Sequence, residues 1–160
     1  DGTAPGNITF SGGTVAYNTF TGVHIFTIED GEVEFYSYGT IIKVIRTESI
    51  SGSMQPQYFC KETSGSMDTS VIGVYAGDAL GEFVDKHQAF ALGDGHIRVN
   101  DEGGDIDNGD YICSSTQAGV GMKQSDDILH NYTVAKATEP VVWSEESESE
   151  KLISCTYHCG

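Results

Sequence analysis

Leu92–Pro140 reads LGDGHIRVNDEGGDIDNGDYICSSTQAGVGMKQSDDILHNYTVAKATEP, and its punctuation decides the fold class. Asp94-Gly95 and Asn108-Gly109 are hairpin-turn dipeptides, because Asn, Asp and Gly tolerate the backbone angles that tight turns demand. Around them stand short strand candidates: His96–Val99, Tyr111–Ser114, the glycine-punctuated Ala118–Met122 and the β-prone Tyr132–Ala137. Turns recurring roughly every 8–12 residues predict an all-β chain, a compact β-barrel or sandwich built of hairpins. No catalytic signature stands inside the stretch.

Upstream, Thr14–Phe20 and Val23–Ile28 are β-prone, Glu29-Asp30-Gly31 is a turn, and Val33–Tyr38 alternates like a strand. Thr40–Arg46 is strongly β-branched, and Gln57–Cys60 lies between the polar loops Ser49–Ser53 and Thr63–Thr69. Val71–Ala76 (VIGVYA) is a continuous apolar run, which predicts a central strand covered on both faces. Gln88–Leu92 forms the first arm of the hairpin at Asp94-Gly95. Ser125–His130 predicts the one short helical turn, with Ser125 as N-cap and Asp126 and Asp127 where the helix dipole favours anions. Ser144–Glu150 (SEESESE) is an acidic loop and Leu152–Tyr157 a last strand.

Asp1–Gly13 is glycine-rich and weakly patterned, so residues 1–13 are expected to be a linker or the end of a preceding rod, and 14–160 one β domain. Asp1 is expected to mark either processing or the edge of something longer. There are no heptads, no fixed-period repeat and no apolar run long enough to span a bilayer, and no signal peptide is expected.

Asp+Glu 24 against Lys+Arg 8 gives a net charge of −16. Phosphate binding needs cationic surface, so the balance argues against nucleic acid as a partner, and against anionic membrane. Such charge is best tolerated where salt screens it or cations bind. Asp101, Asp105, Asp107 and Asp110 are candidate Ca²⁺ ligands, since that ion takes six to eight oxygens. Their spacing does not fit an EF-hand loop, and turn chemistry explains the same residues. Apart from that ion, no cofactor is expected.

Cys60, Cys113, Cys155 and Cys159 are an even number and candidates for disulfides in an extracellular setting, with buried thiols as the alternative. If Cys155–Cys159 is a strand, these two stand roughly 13 Å apart on one face, too far to bridge each other. Cys155, His158 and Cys159 also present zinc-type ligands, but a structural zinc needs a fourth. The histidines show no recurrent spacing with Asp or Ser, so no catalytic residue is assigned.

Three blocks in order carry a family likeness: Val15–His24 (VAYNTFTGVH), Val71–Ala76, and the stretch from Gly93 through Glu139. The most specific part runs Gly109-Asp110-Tyr111-Ile112, then Gly119, then Gly121-Met122-Lys123-Gln124, then Tyr132-Thr133-Val134-Ala135-Lys136. With the closing Ile153–Gly160, they resemble a C-terminal domain of fibre and appendage proteins of phages and large aquatic viruses, found also on bacterial surface proteins. That group is similar to the autoproteolytic intramolecular-chaperone domain of phage neck appendage proteins.

The resemblance implies a structural cap and trimerisation module, chaperone-like, on an upstream fibre shaft at the virion surface or another extracellular site. It implies self-cleavage as an alternative, although no Ser with partnering Asp and Glu stands at a scissile bond in Asp1–Gly13. A third reading is a fibre tip that binds a host-surface glycan or receptor, with Trp143, Tyr36, Tyr38 and Tyr75 as candidates for stacking on sugars.

Overall fold

A computed structural model of the chain describes residues 8–11, 14–17, 22–29, 34–49, 56–79 and 86–159. Strands β1 (Ile8–Ser11) and β2 (Thr14–Tyr17) form an antiparallel hairpin that pairs with no other described strand. The remaining strands form a single sheet. They are β3 (Gly22–Ile28), β4 (Ile41–Ser49), β5 (Pro56–Glu62), β6 (Val71–Asp78) and β7 (His87–Asn100). After them come β8 (Tyr111–Ser114), β9 (Gly121–Lys123), β10 (Thr133–Ala137) and β11 (Glu150–His158). The chain is all-β, and none of its described elements is a helix long and apolar enough to cross a membrane.

The organising element is β7, 14 residues long. Its first half lies between β3 and β6, its second between β11 and β9. Strand pairing therefore closes twice. One ring runs β7-β3-β5-β4-β6 and back to β7; the other runs β7-β11-β10-β8-β9 and back to β7. Each of these nine strands has a partner on both sides over part of its length, which shortens the exposed edge that open sheets must otherwise protect; Arg46–Ser49 of β4 register with β5 alone.

Each ring holds apolar side chains of its own. Phe26, Tyr36, Ile42, Cys60, Tyr75 and Ala89 cluster in the first, while Ile97, Val99, Ile112, Val134, Ile153 and Tyr157 belong to the larger cluster of the second. Ile41 and Val74 come from first-ring strands yet join the second cluster, so they stitch the two cores together. In β6 the successive residues Gly73, Val74 and Tyr75 are all buried, as a strand covered on both faces requires.

Several local expectations are corrected. Asp94-Gly95 is not a turn: β7 runs straight through it, paired with β11 from Leu92 to Asn100. The glycine is needed for packing instead. A Cβ on Gly95 would fall 2.6 Å from Cε2 of Tyr157 and closer still to its hydroxyl. That hydroxyl accepts from the backbone N–H of His96 at 2.9 Å and donates to its carbonyl at 2.7 Å. Tyr157 is 1% exposed and cannot swing away. Gly95→Ala is thus expected to cost about 3 kcal/mol, from overpacking and lost hydrogen bonds. Urea denaturation measures this; an unchanged midpoint would refute it.

Glu34–Tyr38, the described part of the alternating Val33–Tyr38 segment, is not a strand. Tyr36 is buried edge-on to Tyr75, with ring centroids 5.9 Å apart, and the segment ends in a Tyr38-Gly39 turn. Ser125–His130 is not a helical turn. The Gln124 amide donates to the carbonyls of Asp126 and Ile128, taking acceptors that helical bonding would use. Two 3₁₀ turns occur elsewhere, at Asp101–Gly103 and Trp143–Glu145. Ile8–Ser11, within the segment expected to be a linker or rod end, registers against Thr14–Tyr17.

Candidate functional site

The two rings meet at a seam built by Gly39–Ile41. Gly39 N–H donates to the Tyr75 carbonyl in the first ring at 3.1 Å, and Gly39 accepts from Arg98 N–H in the second at 3.0 Å. Gly39 adopts φ +88°, and an added Cβ would strike Leu152 and Arg98, so the crossing demands glycine. Ile41 N–H then donates to the Gly119 carbonyl at 2.8 Å, while Gly119 N–H donates to Thr63 at 3.0 Å.

Beside this crossing lies a cavity of about 300 Å³, lined in part by Phe35, Thr40, Glu62, Arg98, Gln117 and Glu150. Its polar groups are held in place. The Arg98 guanidinium is ion-paired with Glu150, which also accepts from the Gln117 amide at 2.8 Å. The other end of Gln117 accepts from Asn100 at 3.3 Å, and Asn100, 3% exposed, donates to Ser115 at 3.1 Å. Glu102 accepts from the N–H and hydroxyl of Thr116, which hold its carboxyl below the usual range. Phe35 stands 68% exposed at the cavity. The hollow is open to solvent and sets fixed polar groups beside an exposed aromatic.

A second groove, about 420 Å³, runs along Asn108–Tyr111 and Lys123–Asp127. Asp110 of the predicted calcium cluster borders it, and the Asp110 and Asp105 carboxylates are engaged by the protein. Asp110 pairs with Lys123 at 2.7 Å and accepts from the N–H of Asp107. Asp105 accepts from the N–H of Trp143 at 2.9 Å, and Asp101 sits in the first 3₁₀ turn. Among the described residues no three His, Cys, Asp or Glu side chains converge as a metal requires. Millimolar Ca²⁺ is therefore expected to raise the melting temperature no more than sodium chloride of equal ionic strength. A rise in calcium alone, reversed by chelator, would show that these carboxylates bind the ion.

The four candidate disulfide cysteines are free, buried thiols. Cys60 sits in the first core, Cys155 and Cys159 in the second, and Cys113 on β8. The Cys159 thiol donates to the Val134 carbonyl at 3.3 Å. Burial pushes Cys60, Cys155 and Cys159 up to about 12 and Cys113 up to about 11. His158 is exposed, edge-on to Tyr111, so Cys155, His158 and Cys159 do not converge on a zinc site.

The predicted stacking aromatics separate. Tyr36 and Tyr75 are core residues, 7% and 3% exposed. Trp143 packs on the second core and donates its indole N–H to Gly104. Tyr38 is exposed, edge-on to Phe90, with its hydroxyl 3.5 Å from His96. Phe35, Arg98, Gln117 and Glu150 were not legible as a group, because β-pairing alone brings Glu150 to the end of β7. The chain matches no protein-family model, and no curated protein is significantly similar to it.

Proposed function

We propose that this domain is a non-enzymatic structural module that caps an elongated surface fibre and registers its chains as a trimer. The observation that carries the reading is the doubly closed sheet, in which all nine strands have both neighbours. A fibre of paired strands ends in unpaired N–H and C=O groups that invite further association. A closed body with a strongly acidic surface stops that growth. The β1–β2 hairpin keeps its outer edges unpaired by any described strand, and it precedes the closed body, where a shaft would join.

The test is subunit number. Light scattering of the chain with its upstream segment is expected to give a trimer that strengthens as monovalent salt rises. Carboxylate repulsion reaches ~10 Å at 0.1 M and ~3 Å at 1 M, so screening helps like-charged subunits meet. A monomer at all salt concentrations, with the upstream segment present, would refute the cap.

A further inference from the structure

We propose that the seam cavity binds a neutral saccharide, with one pyranose ring seated on Phe35. The idea is independent of whether the domain caps a fibre. A cavity of about 300 Å³ is at the small end of ligand sites and suits one monosaccharide unit. A sugar ring presents a C–H face, which stacks on an aromatic, and a hydroxyl rim, which needs donors and acceptors together. Phe35, 68% exposed and beside Arg98, Gln117 and Glu150, offers the platform. Glu62 and Glu150 are acceptors; Arg98 and Gln117 are donors.

These groups are also preorganised. Glu150 fixes Arg98, and Gln117 is tied at both ends to Glu150 and Asn100, so little side-chain freedom is lost on binding. Charge sets the ligand class. The chain carries a net charge of −16. Sialylated or sulfated sugars are repelled, whereas neutral hexoses and N-acetylhexosamines are not.

The experiment is amide NMR of the whole chain titrated with methyl hexopyranosides and N-acetylglucosamine at millimolar concentrations, beside an array of neutral and sialylated glycans. The expected result is saturable shifts at Phe35, Gln117 and Gly119 with a neutral sugar, neutral hits on the array, and no response to sialic acid. Phe35→Ala should weaken binding about tenfold, with melting temperature and subunit number unchanged. No saturable shift and no neutral hit would overturn the proposal. So would binding that ignores Phe35→Ala, a preference for sialylated glycans, or a Phe35→Ala variant whose change is in subunit number.

Discussion

Val74→Asp is expected to leave the chain unfolded at room temperature. Val74 is 0% exposed and sits in β6, registered between Ile41 of β4 and Phe90 of β7. Its side chain joins the cluster that crosses from one ring to the other. A carboxylate there would be buried among apolar groups without a cation. An uncompensated buried charge costs several kcal/mol, against a total stability of about 5–15 kcal/mol for a domain. Val74→Ala removes two methyl groups without adding a charge and should lose roughly 2 kcal/mol while still folding. Far-UV circular dichroism with urea titration separates the two variants. If Val74→Asp melts with the wild type, the position of β6 between the cores is wrong.

The second large effect is alkaline unfolding. All four thiols keep their protons in the folded chain well beyond pH 9, because burial raises each of them from 9.0 to about 11 or 12. The unfolded chain releases those protons near the ordinary thiol value. Between the two the unfolded state binds fewer protons, so stability falls as pH rises. The contribution is fully present below pH 9 and drains away towards 11 to 12. Each thiol gives up to about 1.4 kcal/mol per pH unit, or roughly 5 kcal/mol per unit for the four. Tyr157, also raised by burial, adds a loss of the same sign at higher pH. A cooperative transition is expected between about pH 10 and 11, where this loss reaches the size of a whole domain's stability. Replacing the cysteines with alanine or valine should shift it upward. At pH 8 a thiol reagent should find none of the four in the native chain and all four in denaturant. Finding none in denaturant would mean disulfides and would overturn the argument.

Local pattern carried the fold class and much of the strand set. Tyr111–Ser114 and Thr133–Ala137 are strands where β-propensity placed them, and Asn108-Gly109 turns as its residues suggest. Gly95 misled, because a glycine that admits a tyrosine ring has the same letter as one that turns the chain. Val33–Tyr38 misled for a related reason. The alternation of its described part reflects Tyr36 entering the first core from a segment that crosses towards Gly39. The seam cavity was hidden more deeply, since Arg98 meets Glu150 only after β7 and β11 have paired. A lone aromatic such as Phe35 carries no mark that tells surface from core.

The shared strand has a consequence for how the chain is born. Every partner β7 needs for the first ring lies N-terminal to it, and every partner for the second lies C-terminal. During synthesis β3, β4, β5 and β6 can close around the first half of β7 as soon as that half leaves the ribosome. The second half must then wait, half-paired, until residues up to His158 have followed. Ile41, whose N–H ends on Gly119, waits with it. A nascent chain that has emerged only as far as the stretch between Asn100 and Tyr111 would carry one finished ring and one bare strand, and that strand is what a chaperone or a sister chain would meet first.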